Sequence, residues 1–186
     1  MNALQPEFLL TALLFPALIF AAVYDLKYRK IPNLLNFPLA GVALVTHTAF
    51  SGLDGLMFSG AGMLLGTALF LPPYIFGGMG AGDAKLMGAV GAVLGAKGVF
   101  FSALLTALYG GVYALLLLAV HRGYSRSFFS RIWGTFMSFV LTRQYIPASQ
   151  TENPGQSPRL CYGLAIALGT ATYVLFDIMG IDLTRV

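Results

Sequence analysis

The sequence predicts an all-α polytopic membrane protein of about six transmembrane helices, with an amphipathic helix on the cytoplasmic side. Three observations predict it. Of the 186 residues, 58% are hydrophobic and only 10% charged, where a soluble domain carries about 25% charged residues. The apolar residues fall into runs of spanning or near-spanning length, separated by short polar stretches. The basic residues lie almost wholly on alternate connections, as positive-inside topology requires.

The elements follow in chain order. Phe8 to Tyr24 forms the first span, about 17 apolar residues and near the lower limit for the hydrocarbon core. No basic n-region precedes it and no clear small-residue cleavage site follows, so it reads as a retained span rather than a cleavable signal. Asp25-Leu-Lys-Tyr-Arg-Lys-Ile-Pro-Asn33 is a polar connection, and Pro32 drives Ile31 away from helix and into a turn. Leu34 to Phe50 is the second span. Ser51 to Gly55, carrying Asp54, is a short turn, and Leu56 to Phe76 is the third span.

Residues 77–85, Gly-Gly-Met-Gly-Ala-Gly-Asp-Ala-Lys, are a glycine-rich loop running into a carboxylate and a lysine. Leu86 to Ala96 is apolar but only about 11 residues, short for a span, so the fourth helix can begin within the loop. Its Gly91 and Gly95 have the GxxxG spacing that lets helix backbones approach. Lys97 interrupts, and Val99 to Val120 is the longest apolar run. The stretch 121–159 is a polar insertion. Arg122, Arg126, Arg131 and Arg143 alternate there with Phe128, Phe129, Ile132, Trp133, Phe136 and Phe139, a spacing that suggests an interfacial helix on anionic lipid. Gln144 to Pro158 is a loop, and Leu160 to Met179 is the last span. The whole chain, 1–186, reads as a single integral membrane domain.

With an outside N-terminus, Lys27, Arg29, Lys30, Lys85, Arg122, Arg126, Arg131, Arg143 and Arg159 share one side, leaving Lys97 and Arg185 of the 11 basic residues opposite. The richer side is cytoplasmic. Asp25 and Asp83 then lie at one depth, just inside that face. Charge at a membrane segment is costly and marks function by default.

Other chemistry is excluded or weakened by pattern. The lone Cys161 rules out an internal disulfide or a multi-cysteine zinc site and reads as a small packing residue. The net charge of +4 is explained by topology, so no nucleic-acid partner is implied. No strand precedes the glycines and no Gly-Lys-Ser/Thr follows, which excludes a P-loop. His47 and His121 fall on opposite sides, so no metal site is expected. Asp177 lies toward the outer end of the last span, away from the other two carboxylates.

Two carboxyl groups at one depth suit acid–base hydrolysis. One, ionised, takes a proton from water; the other, protonated, polarises the scissile carbonyl. Asp25 and Asp83 are the candidate catalytic pair. Taken singly, Asp25 also reads as a membrane-edge residue beside Lys27 or Arg29, and Asp83 as a helix N-cap. Gly80 and Gly82 would form the loop and admit an extended substrate backbone. Lys85 lies close enough to modulate the pair or snorkels to the interface.

Gly80-Ala81-Gly82-Asp83 matches the GxGD pattern of intramembrane aspartic peptidases, and Ala84-Lys85 extends it. Asp25 with Arg29, Ile31, Pro32 and Asn33 matches a D-x(n)-R-x-IPN pattern. Tyr162-Gly163 with Ala165, Ala167 and Gly169 is similar to a PYGPALALG-like segment, with Cys161 and Leu164 in place of its prolines. In these features the chain resembles the type IV prepilin peptidases. The resemblance implies an aspartic endopeptidase that removes the basic leader of prepilins or pseudopilins at the cytoplasmic face of the cytoplasmic membrane, with no cofactor. Its implied partners are that substrate, the lipid bilayer, and pilus or type II-like secretion machinery. The chain lacks the paired CxxC motifs of the larger members, so it resembles the short form that serves Flp/Tad-type pili or archaeal-type pilins, and methyltransferase activity is not implied. Two other readings accommodate the same carboxylates: a proton- or cation-coupled small transporter, and a non-catalytic assembly component.

Overall fold

A computed structural model describes residues 6–75, 78–120 and 161–181, without the side chains of 6–8 and 117–120. The expected Arg/aromatic interfacial helix and the loop after it lie outside the described residues. The remainder is helical: α1 (Pro6–Tyr28), α2 (Asn33–Ile75), α3 (Ala81–Val120) and α4 (Tyr162–Ile178). Three of these are long and apolar enough to cross a membrane, and α4 is a shorter apolar helix. The chain is therefore an all-α protein of the membrane-helical class.

Two glycines fold the long helices back on themselves. Gly52 has φ 61° and ψ −135° inside α2, and Gly95 has φ 71° and ψ −179° inside α3. Both lie in the left-handed region that side chains penalise. The consequence is visible at Gly55, whose α-carbon abuts the carbonyl of His47; on a straight helix those residues would stand about 12 Å apart. Each helix thus has two arms, 33–51 and 53–75 in α2, 81–94 and 96–120 in α3. A turn at 51–55 is expected from sequence, and a single residue within it makes the reversal. The break expected at Lys97 falls two residues earlier, because Gly95 supplies the backbone freedom that a lysine lacks.

Small residues set the packing, since lipid removes most of the hydrophobic drive between helices and leaves close van der Waals contact to hold them. The second arm of α2 runs antiparallel to the first arm of α3. Gly62 meets Gly91 backbone to backbone, and Gly66 meets the carbonyl of Met87. Ser59 Oγ donates to Ala92 O at 2.7 Å. The GxxxG pair therefore divides its roles: Gly91 gives the close approach, Gly95 the reversal. The second arm of α3 packs against α4, where Gly169 lies on Thr106 and the Tyr109 and Thr172 hydroxyls are 3.0 Å apart. Leu14, Leu86, Met87, Val90, Val99 and Ile166 fill the centre. Large apolar residues such as Leu34, Val45, Leu64 and Leu115 face outward, which suits a lipid environment and would be a liability in water.

Candidate active site

α1 extends through Tyr28, past the expected end of its span, so Asp25 is held on a helix rather than in a flexible connection. Arg29 closes that helix with φ 53°, its N–H donating to Asp25 O at 2.7 Å. A left-handed arginine is uncommon. It turns the chain sharply so that buried Ile31 comes back under the bundle and Pro32-Asn33 starts α2.

The end of α2 and the start of α3 supply the other half. Gly78 N–H donates to Pro73 O at 2.9 Å, closing α2. α3 begins at Ala81, inside the glycine-rich stretch, so Asp83 occupies the third helical position instead of the N-cap. Its Oδ2 accepts from Gly80 N–H at 2.9 Å, while Asp83 N–H donates to Gly80 O at 3.1 Å. This is the carboxylate half of a capping box, with glycine at the cap. Gly82 is pressed on Ile31: a Cβ there would stand 3.1 Å from both the Ile31 Cβ and its carbonyl oxygen. The two stretches that carry the aspartates therefore pack directly on one another.

α4 contributes a third side. Gly163 N–H donates to Asp25 Oδ2 at 2.9 Å across 138 residues. Asp25 and Asp83 are 6% and 7% exposed, on stretches held together by the Gly82–Ile31 contact. Each carboxylate is thus aimed by one main-chain N–H through Oδ2. Among the described residues neither makes a further side-chain hydrogen bond, which leaves the other oxygen of each available for chemistry.

Lys85 points to the other motif. Its Nζ donates to Asn33 Oδ1 at 3.1 Å and lies 5.3 Å from the Phe37 ring centre, linking the Asp83 segment to the IPN turn. Cys161, half-buried at the mouth of α4, has its thiol pushed up by burial and by the charges of Asp25 and Asp83, with Arg29 pulling the other way. Asp177 is exposed near the far end of α4. His47 is buried with Nε2 3.2 Å from Val93 O, beside the Phe58 ring. Among the described residues no group of three or more His, Cys, Asp or Glu is placed to hold a metal ion.

Two contributors to this geometry escape a sequence reading. Gly163 lies in a stretch with a family-like pattern, yet nothing in it names Asp25 as its partner. Asn36, 2% exposed, donates from Nδ2 to Gly82 O at 3.2 Å; its only signal is an amide in an apolar run.

Comparison with known proteins bears on the same region. The type IV leader peptidase family matches residues 12–115, a range that holds both aspartates. A prepilin leader peptidase/N-methyltransferase of Bacillus subtilis (strain 168) is 35% identical over 115 residues, which is 55% of this chain and 46% of that relative. The match thus spans about half the length of that curated relative. No solved structure matches the chain.

Proposed function

The chain belongs to the type IV leader peptidase family, and from that premise we propose that it is an intramembrane aspartic endopeptidase with Asp25 and Asp83 as its catalytic pair. The observation that carries the proposal is that two buried carboxylates lie on stretches packed against one another, each oriented by a main-chain N–H donated by Gly163 or Gly80. Burial and mutual repulsion favour a single shared proton between such groups.

The chemistry follows from that sharing. The ionised carboxylate takes a proton from water as the water oxygen bonds to the scissile carbonyl carbon. The protonated partner donates to the carbonyl oxygen, which stabilises the tetrahedral intermediate. On collapse the C–N bond breaks and the amine leaves with a proton from the carboxyl now holding it. Two carboxyl groups and one water suffice for these steps. Gly80 and Ala81 are small and exposed beside the pair, which leaves room for an extended peptide to approach it.

The substrate we infer is a prepilin or pseudopilin, cut at its basic leader on the cytoplasmic face of the cytoplasmic membrane, with pilus or type II-like secretion machinery as the assembly partner. The folds at Gly52 and Gly95 support six crossings, in which the arms of α2 and α3 cross separately. Asp25, Asn33, Gly80, Asp83 and Cys161 then share the end that carries most of the basic residues, and the chain acts as one membrane domain.

The test is co-expression with a panel of prepilins, following leader loss by gel shift. Wild type should cleave, and Asp25→Asn and Asp83→Asn at equal membrane abundance should each lose all cleavage. Cleavage surviving in either variant would overturn the pair.

A further inference from the structure

Asn36 sits in the first turn of α2 and is almost wholly enclosed. Its Nδ2 donates to the carbonyl of Gly82, 46 residues away, the peptide group that leads directly into Asp83. A carbonyl can only accept, so the amide's orientation is fixed by this bond. The other end of the side chain, Oδ1, is buried with no partner among the described residues.

This is a poor bargain for stability. One bond of 3.2 Å is set against a desolvated acceptor left unmet, and an apolar side chain of the same size would fill the space without that cost. Position is what the amide supplies. The Gly82 α-carbon already lies on Ile31, and Ile31 follows the turn that ends Asp25's helix. Contact with Ile31 limits how closely Gly82 can approach, and the Asn36 bond fixes the rotation of the peptide plane that bears Asp83.

We propose that Asn36 is a positioning residue for the reaction: through the Gly82 carbonyl it holds the first turn of α3 in register, so that the Asp83 carboxylate faces Asp25. The proposal rests on the aspartic-pair reading above for its catalytic consequence. Asn36 itself touches neither carboxylate through any hydrogen bond of the described residues, and it acts on Asp83 only through the main chain. Misplacement of a reacting group by about 1 Å is sufficient to cost about 100-fold in rate.

The test compares wild type, Asn36→Leu and Asn36→Ala in detergent or nanodiscs, by prepilin cleavage kinetics, thermal unfolding and hydrogen–deuterium exchange. Leucine keeps the branching at Cγ and removes the unmet acceptor but is larger, and alanine removes the same bond without overpacking. A merely structural Asn36 would therefore show any kcat loss only together with a lower Tm. Expected for Asn36→Leu is a kcat lower by about tenfold or more with KM within about twofold, a loss larger than any fall in Tm accounts for, and faster exchange confined to residues 82–86. Asn36→Ala shows the same kinetic split and the same local exchange if leucine is not accommodated. Unchanged kcat with unchanged exchange, or a kcat loss that tracks a lower Tm, would overturn the proposal. If wild type cleaves no prepilin, the functional reading fails, and the exchange at 82–86 still decides whether Asn36 holds this turn.

Discussion

Gly163 and Asp25 are 138 residues apart in sequence and 2.9 Å apart in space, main-chain N–H to carboxylate Oδ2. The contact is as tight as it is long-range. A Cβ added at Gly163 would stand 2.9 Å from both the Cβ and Oδ2 of Asp25, so glycine here is a requirement of packing. α4 thereby serves as a wall that sets the rotamer of a carboxylate on α1.

The first prediction concerns that wall. Gly163→Ala forces α4 and Asp25 apart or rotates the carboxylate, because backbone and a short side chain offer little room to yield. Overpacking of this kind costs about 1–3 kcal/mol, which leaves most of the protein folded. The expected outcome is a drop in prepilin cleavage of about 100-fold with membrane abundance near that of wild type. Cleavage kinetics on purified protein would show it; activity within about threefold of wild type would remove Gly163 from the site.

The second prediction addresses the crossing of α2 and α3. Gly62 and Gly91 meet through their backbones, each α-carbon against the other's carbonyl. Gly62→Leu must therefore separate the second arm of α2 from the first arm of α3, which breaks the neighbouring Ser59–Ala92 hydrogen bond as well. A destabilisation of about 3 kcal/mol or more is expected, at the upper end of overpacking costs. Thermal unfolding in detergent would report it as a lower Tm. Gly60→Ala, where a Cβ meets nothing within 4 Å, is the control and should not lower Tm, since alanine favours helix over glycine.

Much of this arrangement is legible before the structure, and the parts that are not share a cause. Composition and charge patterning give the membrane-helical class, because lipid penalises charge wherever it falls on a spanning segment. The GxGD and D-x(n)-R-x-IPN patterns single out Asp25 and Asp83. Helix ends are less legible: α1 runs past Asp25 to Tyr28 and stops only where Arg29 adopts a left-handed conformation, which nothing in an arginine's identity announces. The reversal at Gly52 falls inside the expected turn at 51–55, whereas the one at Gly95 comes two residues before the break expected at Lys97, since several glycines compete and tertiary packing selects among them. Lys85 illustrates a third limit. Proximity in sequence to Asp83 suggests an effect on the pair, whereas its ammonium reaches Asn33, a partner only the folded chain supplies. Asn36 and Gly163 are illegible for the same reason, as their roles consist of contacts between segments distant in sequence.

The last prediction uses Cys161, the one cysteine in the chain, as a built-in reporter of the aspartates. Its thiol lies within the electrostatic reach of Asp25 and Asp83, and negative charge on either carboxylate, after burial, pushes it up. The sign follows directly: anionic neighbours disfavour the thiolate, so at a fixed pH near 8 little of the reactive form is present. Replacing both carboxylates with amides removes that disfavour and lowers the thiol toward its ordinary range. Thiolate becomes more abundant while its intrinsic nucleophilicity falls less steeply. As the proposed pair, Asp25 and Asp83 share one proton, so either single variant leaves its partner free to ionise. The double variant Asp25→Asn/Asp83→Asn removes the pair's charge whichever carboxyl holds it, and should therefore speed maleimide labelling of Cys161 by about twofold or more. Labelling followed by mass shift needs no substrate and survives loss of activity. Equal rates in wild type and the double variant would place Cys161 outside the field of the pair, and with it the close meeting of α4, α1 and α3 at this end of the bundle.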